Sequence, residues 1–121
     1  MIKKTITYTD FFEETEVTED FYFNLSKAEL MELEASFPGG MQKYFNKIIK
    51  EENGAEVMNV FKNILLKSYG KRDGGKFVKS EAIRDEFYSS PAYSELLMEL
   101  LSSETAATEF FKRVLPAGTV Q

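Results

Sequence analysis

Two short stretches come closest to reactive chemistry. "GKRDGGKF", residues 70–77, fits the pattern G-x-x-x-x-G-K. That pattern opens a loop in which backbone N–H groups cradle phosphate, a lysine reaches the phosphates and a Ser or Thr hydroxyl holds magnesium. Gly75 and Lys76 would then carry a small nucleotide-binding enzyme. Phe77, however, stands where the hydroxyl is needed. A helical pattern precedes the stretch and an extended piece follows it, whereas a phosphate loop follows a strand and opens a helix. A polar turn is the better reading. The adjacent carboxylates Glu13-Glu14 and Glu51-Glu52 are the second possibility. Chain neighbours rarely converge on one reacting atom, and nothing sets their pKa values apart, so they read as surface charge.

What is missing narrows the chemistry further. The 121 residues include no cysteine and no histidine. A disulfide framework and a thiolate metal site are excluded, and the commonest general base is gone. No acidic spacing resembles a cation loop, and no serine lies in a G-x-S-x-G context. The expectation is therefore a protein that is not an enzyme, with no catalytic residue, no cofactor and no metal.

The chain is long enough to bury a core without a disulfide or metal. Hydrophobic residues make up 43% and aromatics 14%, which favours folding over disorder. One domain is expected over residues 1–116, with a loose tail at 117–121. No apolar run is long enough to span a membrane, and "MIKKTITYTD" lacks the apolar centre of a signal peptide. The net charge is −5. A net acidic chain is a poor partner for nucleic acid, which needs clustered Lys and Arg. The charge is also unevenly laid out: acidic before residue 35, basic over 41–84, acidic again after 85. A solvated surface accounts for this. The sharper alternative is a homo-oligomer in which the basic middle of one copy meets an acidic end of the next.

The elements that must position any site follow from periodicity. Ile2, Ile6 and Tyr8 alternate with Lys3, Thr5, Thr7 and Thr9, and Val17, Phe21, Phe23 and Leu25 alternate in turn. Both runs predict strands, 2–9 and 16–25, joined as a β-hairpin by residues 10–14. Phe11 and Phe12 at that turn either fold back on the core or form an exposed tip. Ser26 and Glu29 make an S-x-x-E capping box, so "TEDFYFNLSKAEL" runs from strand into helix at Lys27. Helices are predicted over about 27–36, 41–52, 55–69, 81–88, from Pro91 onward, and over 103–115. Residues 70–76 are predicted as a loop, followed by a very short extended piece. The fold class is α+β, mainly α: an N-terminal β-hairpin, about 2–25, then a body of five or six short amphipathic helices, about 27–115.

The apolar stripes offer the candidate binding residues. A stripe at helical spacing is ordinarily core. Several short helices cannot bury every stripe, though, and Leu96, Leu97, Leu100, Leu101, Phe110 and Phe111 lie close together near the C-terminus. A groove lined by these six would receive an amphipathic helix of a partner.

Three stretches, "TYTD…TEDFYFNLSKAEL", "ILLKSYGKRDGGKFVKSEAIRDEF" and "SSPAYSELLMELL", give the chain its likeness to a family. Together they resemble the tail assembly chaperones of long-tailed bacteriophages and prophages of Gram-positive bacteria, over about residues 1–116. Where relatives often have a glycine turn in the first hairpin, this chain has Phe11-Phe12-Glu13-Glu14. The resemblance implies a non-enzymatic protein of the host cytoplasm that binds and solubilises the helical tape measure protein and is absent from the finished virion. It also implies a longer frameshifted form that recruits tail tube protein. A small acidic regulatory protein, inhibiting by protein–protein binding, is the alternative. Were it a DNA mimic, its carboxylates would be evenly spread, and the basic middle segment argues against that.

Overall fold

A computed structural model describes residues 1–114. The expected end of the last helix at 115 and the tail at 117–121 lie outside the described residues. The chain runs β1 (Ile2–Thr9), β2 (Glu16–Phe23), α1 (Lys27–Ser36), α2 (Met41–Lys50), α3 (Gly54–Ser68), β3 (Tyr69–Asp73), β4 (Lys76–Val78), α4 (Glu81–Tyr88), α5 (Pro91–Ser102) and α6 (Glu104–Val114). The expected α+β class, mainly α, is what the structure shows, with the N-terminal hairpin and six helices.

β1 and β2 pair antiparallel from Ile2 opposite Phe23 to Thr9 opposite Glu16. Ile2, Ile6, Phe21 and Phe23 face the core, as the alternation requires. β2 stops at Phe23, two residues short of the predicted end. The Asn24 N–H turns to the Ser68 carbonyl (2.8 Å) and the Leu25 N–H to the Val114 carbonyl (2.9 Å). Leu25 nevertheless keeps its inward side and is buried.

The capping box forms. Ser26 Oγ accepts from the Glu29 N–H at 3.1 Å, and Glu29 Oε1 accepts from the Ser26 N–H at 2.9 Å. At the end of α2 the expectation needs correction. The helix ends at Lys50, not 52, and the left-handed residue there is Glu52 (φ 56°). Asn53 caps α3, its side chain accepting from the Glu56 N–H at 3.2 Å.

The larger correction falls at residues 70–76, which are not a loop. They lie in a second hairpin, β3–β4, with Asp73 opposite Lys76. The two-residue turn is Gly74-Gly75, and Gly74 takes φ 63°, a positive value at the first central position that glycine adopts without cost. β3 also pairs with β2 through Tyr22–Gly70 and Phe23–Tyr69, so one four-stranded sheet runs β1-β2-β3-β4.

The helices cover this sheet through an aromatic centre. Phe23, fully buried, has the rings of Tyr69, Phe87 and Phe110 at 5.6, 5.7 and 5.2 Å. Tyr69 stacks on Phe87 at 4.2 Å. A buried side chain of this size is worth about 1.5–3 kcal/mol from transfer alone. Four of the core's rings therefore join β2, β3, α4 and α6 at one point.

Candidate functional site

α5 and α6 carry the six candidate residues, and local sequence sets both helices. Ser90 Oγ accepts from the Tyr93 N–H, and Pro91 occupies the first turn of α5, where no N–H partner is required. Ser103 Oγ accepts from the Ala106 N–H at 3.1 Å and opens α6.

The structure divides the six. Leu96, Leu100 and Phe110 lie inside the core, at 1%, 2% and 4% exposure. Leu97, Leu101 and Phe111 pack against the core with part of each side chain at the surface. Leu97 and Leu101 are one turn apart on α5. The Phe111 ring meets Phe61 of α3 edge-on at 5.1 Å.

Leu97 also borders a shallow depression of about 320 Å³ between α3, α4 and α5, lined by Ala55, Met58, Asn59, Lys62, Tyr88 and Tyr93. Met58 and Tyr88 are well exposed, and Lys62 Nζ lies 4.5 Å from the centre of the Tyr88 ring. Stripe reasoning missed Met58 and Tyr88 because both sit off the inward face of their helices. The signal for them is large apolar residues at positions where a surface helix carries polar ones. A second, more polar depression lies where β1 meets α5, lined by Thr5, Ile6, Thr7, Glu95, Met98, Glu99 and Ser102. There Lys4 forms an ion pair with Glu99.

Titratable groups with shifted pKa values have structural causes. Lys79 Nζ donates to the carbonyls of Asn24 (2.7 Å) and Lys67 (2.8 Å) and to Glu29 Oε1 (2.6 Å). It thus ties the end of β2, the end of α3 and the start of α1. Burial pushes the Lys79 ammonium below its ordinary pKa, against the pull of Glu29. Burial also acts to raise Glu29, but hydrogen bonds from Lys79 and Ser26 outweigh it and hold the carboxyl below its ordinary value. The Tyr8 phenol is raised to about 12 chiefly by its hydrogen bond to Glu19, and Tyr69 to about 12 by burial and then the charge of Glu86. None of these four groups lines either of the two depressions described above.

The phosphate-loop residues Gly75 and Lys76 lie at the turn and start of β4, with no helix opening behind them. Backbone N–H groups are therefore not gathered on a phosphate there. Among the described residues, no cluster of three or more acidic side chains is placed to hold a metal ion, and no helix is long and apolar enough to cross a membrane. The arrangement offers apolar contact surface.

One family model matches the whole chain, residues 1–121; it is described as phage tail assembly chaperone. No curated protein and no solved structure gives a significant match.

Proposed function

The chain belongs to the phage tail assembly chaperone family, and on that premise we propose that it binds and solubilises the helical tape measure protein while the tail is built. The whole-length family match carries the reading, because it makes the chain's work a chaperone's and its partners proteins of tail assembly. The half-buried Leu97, Leu101 and Phe111 support it, because they offer apolar contact without opening the core. An amphipathic helix laid along them would bury its own apolar face, which in bare form drives aggregation.

Many copies along one long helix would add weak contacts into a strong sum. Weakness of each contact would let tail tube protein displace the chaperone, and a longer frameshifted form would bring that tube protein in. The work would be done in the cytoplasm of the host, a Gram-positive bacterium infected by a long-tailed phage, and the chaperone would be left out of the virion.

The test is co-expression with the neighbouring tape measure protein, followed by measurement of its solubility and co-purification. The partner is expected to become soluble and to co-purify. Leu97→Lys with Leu101→Lys should cost roughly tenfold or more in capture, as loss of an apolar anchor does. A partner that stays insoluble and unbound beside a folded chaperone would defeat the proposal.

A further inference from the structure

β1 is one edge of the sheet, which runs β1-β2-β3-β4. The bonds at its turn tell which way its backbone faces. The Asp10 N–H donates to the Thr15 carbonyl at 2.8 Å, and these two residues continue the register in which Thr9 stands opposite Glu16. In an antiparallel pair, bonded and unbonded residue pairs alternate. Counting back from Asp10, the residues Tyr8, Ile6, Lys4 and Ile2 turn their N–H and C=O groups toward β2. Lys3, Thr5, Thr7 and Thr9 turn theirs away from it. The side chains agree, because unbonded pairs bring side chains closer together. Thr7 Oγ1 lies 2.9 Å from Thr18 Oγ1, and Thr5 Oγ1 donates to Asp20 Oδ1 at 2.6 Å, each across its own pair. Among the described residues, no backbone hydrogen bond beyond the β1–β2 ladder reaches those four outward residues.

Open edges are usually blunted by shortness, proline or a bulge. β4, at the opposite edge, has three residues. β1 has eight, with no proline, and pairs with β2 residue for residue without a bulge. A wall stands beside it. Glu95, Met98, Glu99 and Ser102 are spaced i, i+3, i+4, i+7 and so share one face of α5. With Thr5, Ile6 and Thr7 they line the depression where β1 meets α5, of about 460 Å³. Seven residues of helix rise about 10 Å, roughly the length of three residues of strand. Met98 is well exposed. Glu99 pairs with Lys4, whereas Glu95 forms no ion pair among the described residues. No lysine or arginine of the described residues lines the depression itself.

We propose that β1 takes an extended segment of a partner protein as one further strand, seated between its Thr5–Thr7 edge and α5. A Lys or Arg of that segment meets Glu95, and an apolar side chain two residues away meets Met98. Main-chain bonds to Lys3, Thr5, Thr7 and Thr9 supply the affinity, and the alternate side chains that face α5 supply the selectivity. The segment is basic because the wall is acidic. A second copy is a poorer occupant. Two β1 edges paired about a two-fold axis would bring the acidic margin of each α5 to one face of the joined sheet, where like charges repel. A helix is poorer too, because its backbone groups are bonded within it and would leave the edge unpaired. None of Leu97, Leu101 and Phe111 lines this site, and the proposal does not rest on the helical partner named above.

The experiment uses the full chain and a short synthetic peptide in which lysine and valine take turns at every second position, with threonine between. Fluorescence anisotropy reads binding, and amide hydrogen exchange reads its place. The peptide should bind, and the amides of Lys3, Thr5, Thr7 and Thr9 should gain protection. Those of Ile2, Lys4, Ile6 and Tyr8, already turned to β2, should change little. N-methylation of the peptide at alternate residues removes the donors along one edge only. One alternate set should abolish binding and the other should leave it, since lysine and valine fix which face meets α5. Glutamate in place of the peptide's lysines should weaken binding by roughly tenfold or more, as should Glu95→Lys with Glu99→Lys in the chain. The glutamate peptide should prefer that variant, a reversal that a misfolded chain could not give. The proposal is overturned if the peptide fails to bind, if glutamate serves as well as lysine, if both methylated peptides bind alike, or if protection falls on another face. It is overturned also if the four amides are protected in the chain alone, and more so as its concentration rises, since a second copy would then hold the edge. Failure here leaves the co-expression result untouched, because capture of a helix through Leu97 and Leu101 makes no use of β1.

Discussion

Lys79 shows how one side chain can hold three segments. Its ammonium meets two carbonyls and the Glu29 carboxylate, each from a different element end. Removing Glu29 would take away both the return half of the capping box and the charge partner of a half-buried ammonium. Glu29→Ala should cost about 1–3 kcal/mol, seen as a lowered midpoint in urea. The pH dependence has a definite sign. The folded carboxyl lies below its ordinary pKa, so its contribution is present above the unfolded value and is lost as pH falls through the folded one. Stability should therefore decline on acidification below the usual carboxylate range, and Glu29→Gln should flatten that part of the profile. A mutant whose acid profile matches the original would show that Glu29 does not carry it. Serine and glutamate at capping spacing made the cap legible in the sequence. Lys79 was not legible, because its partners are 12 to 55 residues away.

At the scale of elements, the long hairpin and the six helices of the described residues were visible from period and caps, whereas β3 was not, and β4 showed only as a very short extended piece. Their residues, "YGKRD" and "KFV", alternate too weakly and too briefly for a period to show. Pairing with β2 holds them in place, and pairing is a tertiary fact. The Gly74-Gly75 dipeptide was the available signal for a hairpin turn. The depth of a stripe is hidden in the same way. Leu96 and Leu97 are adjacent on one helix, yet one is buried and the other reaches the surface. A period gives the direction of a face but not what covers its margin. Gly70 tests the second hairpin directly. A Cβ added there would lie 2.6 Å from the Phe77 ring and 2.9 Å from the Val78 carbonyl oxygen. The oxygen belongs to the backbone of the paired strand and cannot swing aside as a side-chain end does. Gly70→Ala should therefore destabilise the chain by about 1–3 kcal/mol. A thermal melt unchanged by that substitution would mean that β3 and β4 part easily.

Over the whole molecule, the acidic–basic–acidic layout has two uses. Part of it is spent inside the fold: Lys67 pairs with Glu32 and Lys79 with Glu29, joining the basic middle to the acidic start, and Lys71 with Glu86 joins it to the acidic end. Lys67–Glu32 and Lys71–Glu86 are largely exposed and are worth at most about 1 kcal/mol apiece. Another part is left over. The carboxylates of Asp10, Glu13 and Glu14 and the ammonium groups of Lys43, Lys47 and Lys50 form no ion pair among the described residues. Charges of opposite sign at separate places on each copy favour alignment of neighbours, and over such distances salt matters. Screening length falls from about 10 Å at 0.1 M to about 3 Å at 1 M. Contacts at 2.6–2.7 Å within one copy are shorter than either length, so the melting temperature should hardly move. Any association between copies that rests on these charges should weaken by roughly a few-fold across the same range. Sedimentation at the two salt concentrations, beside a melt at each, separates the terms. Oligomers indifferent to salt would leave the charge layout as surface solvation.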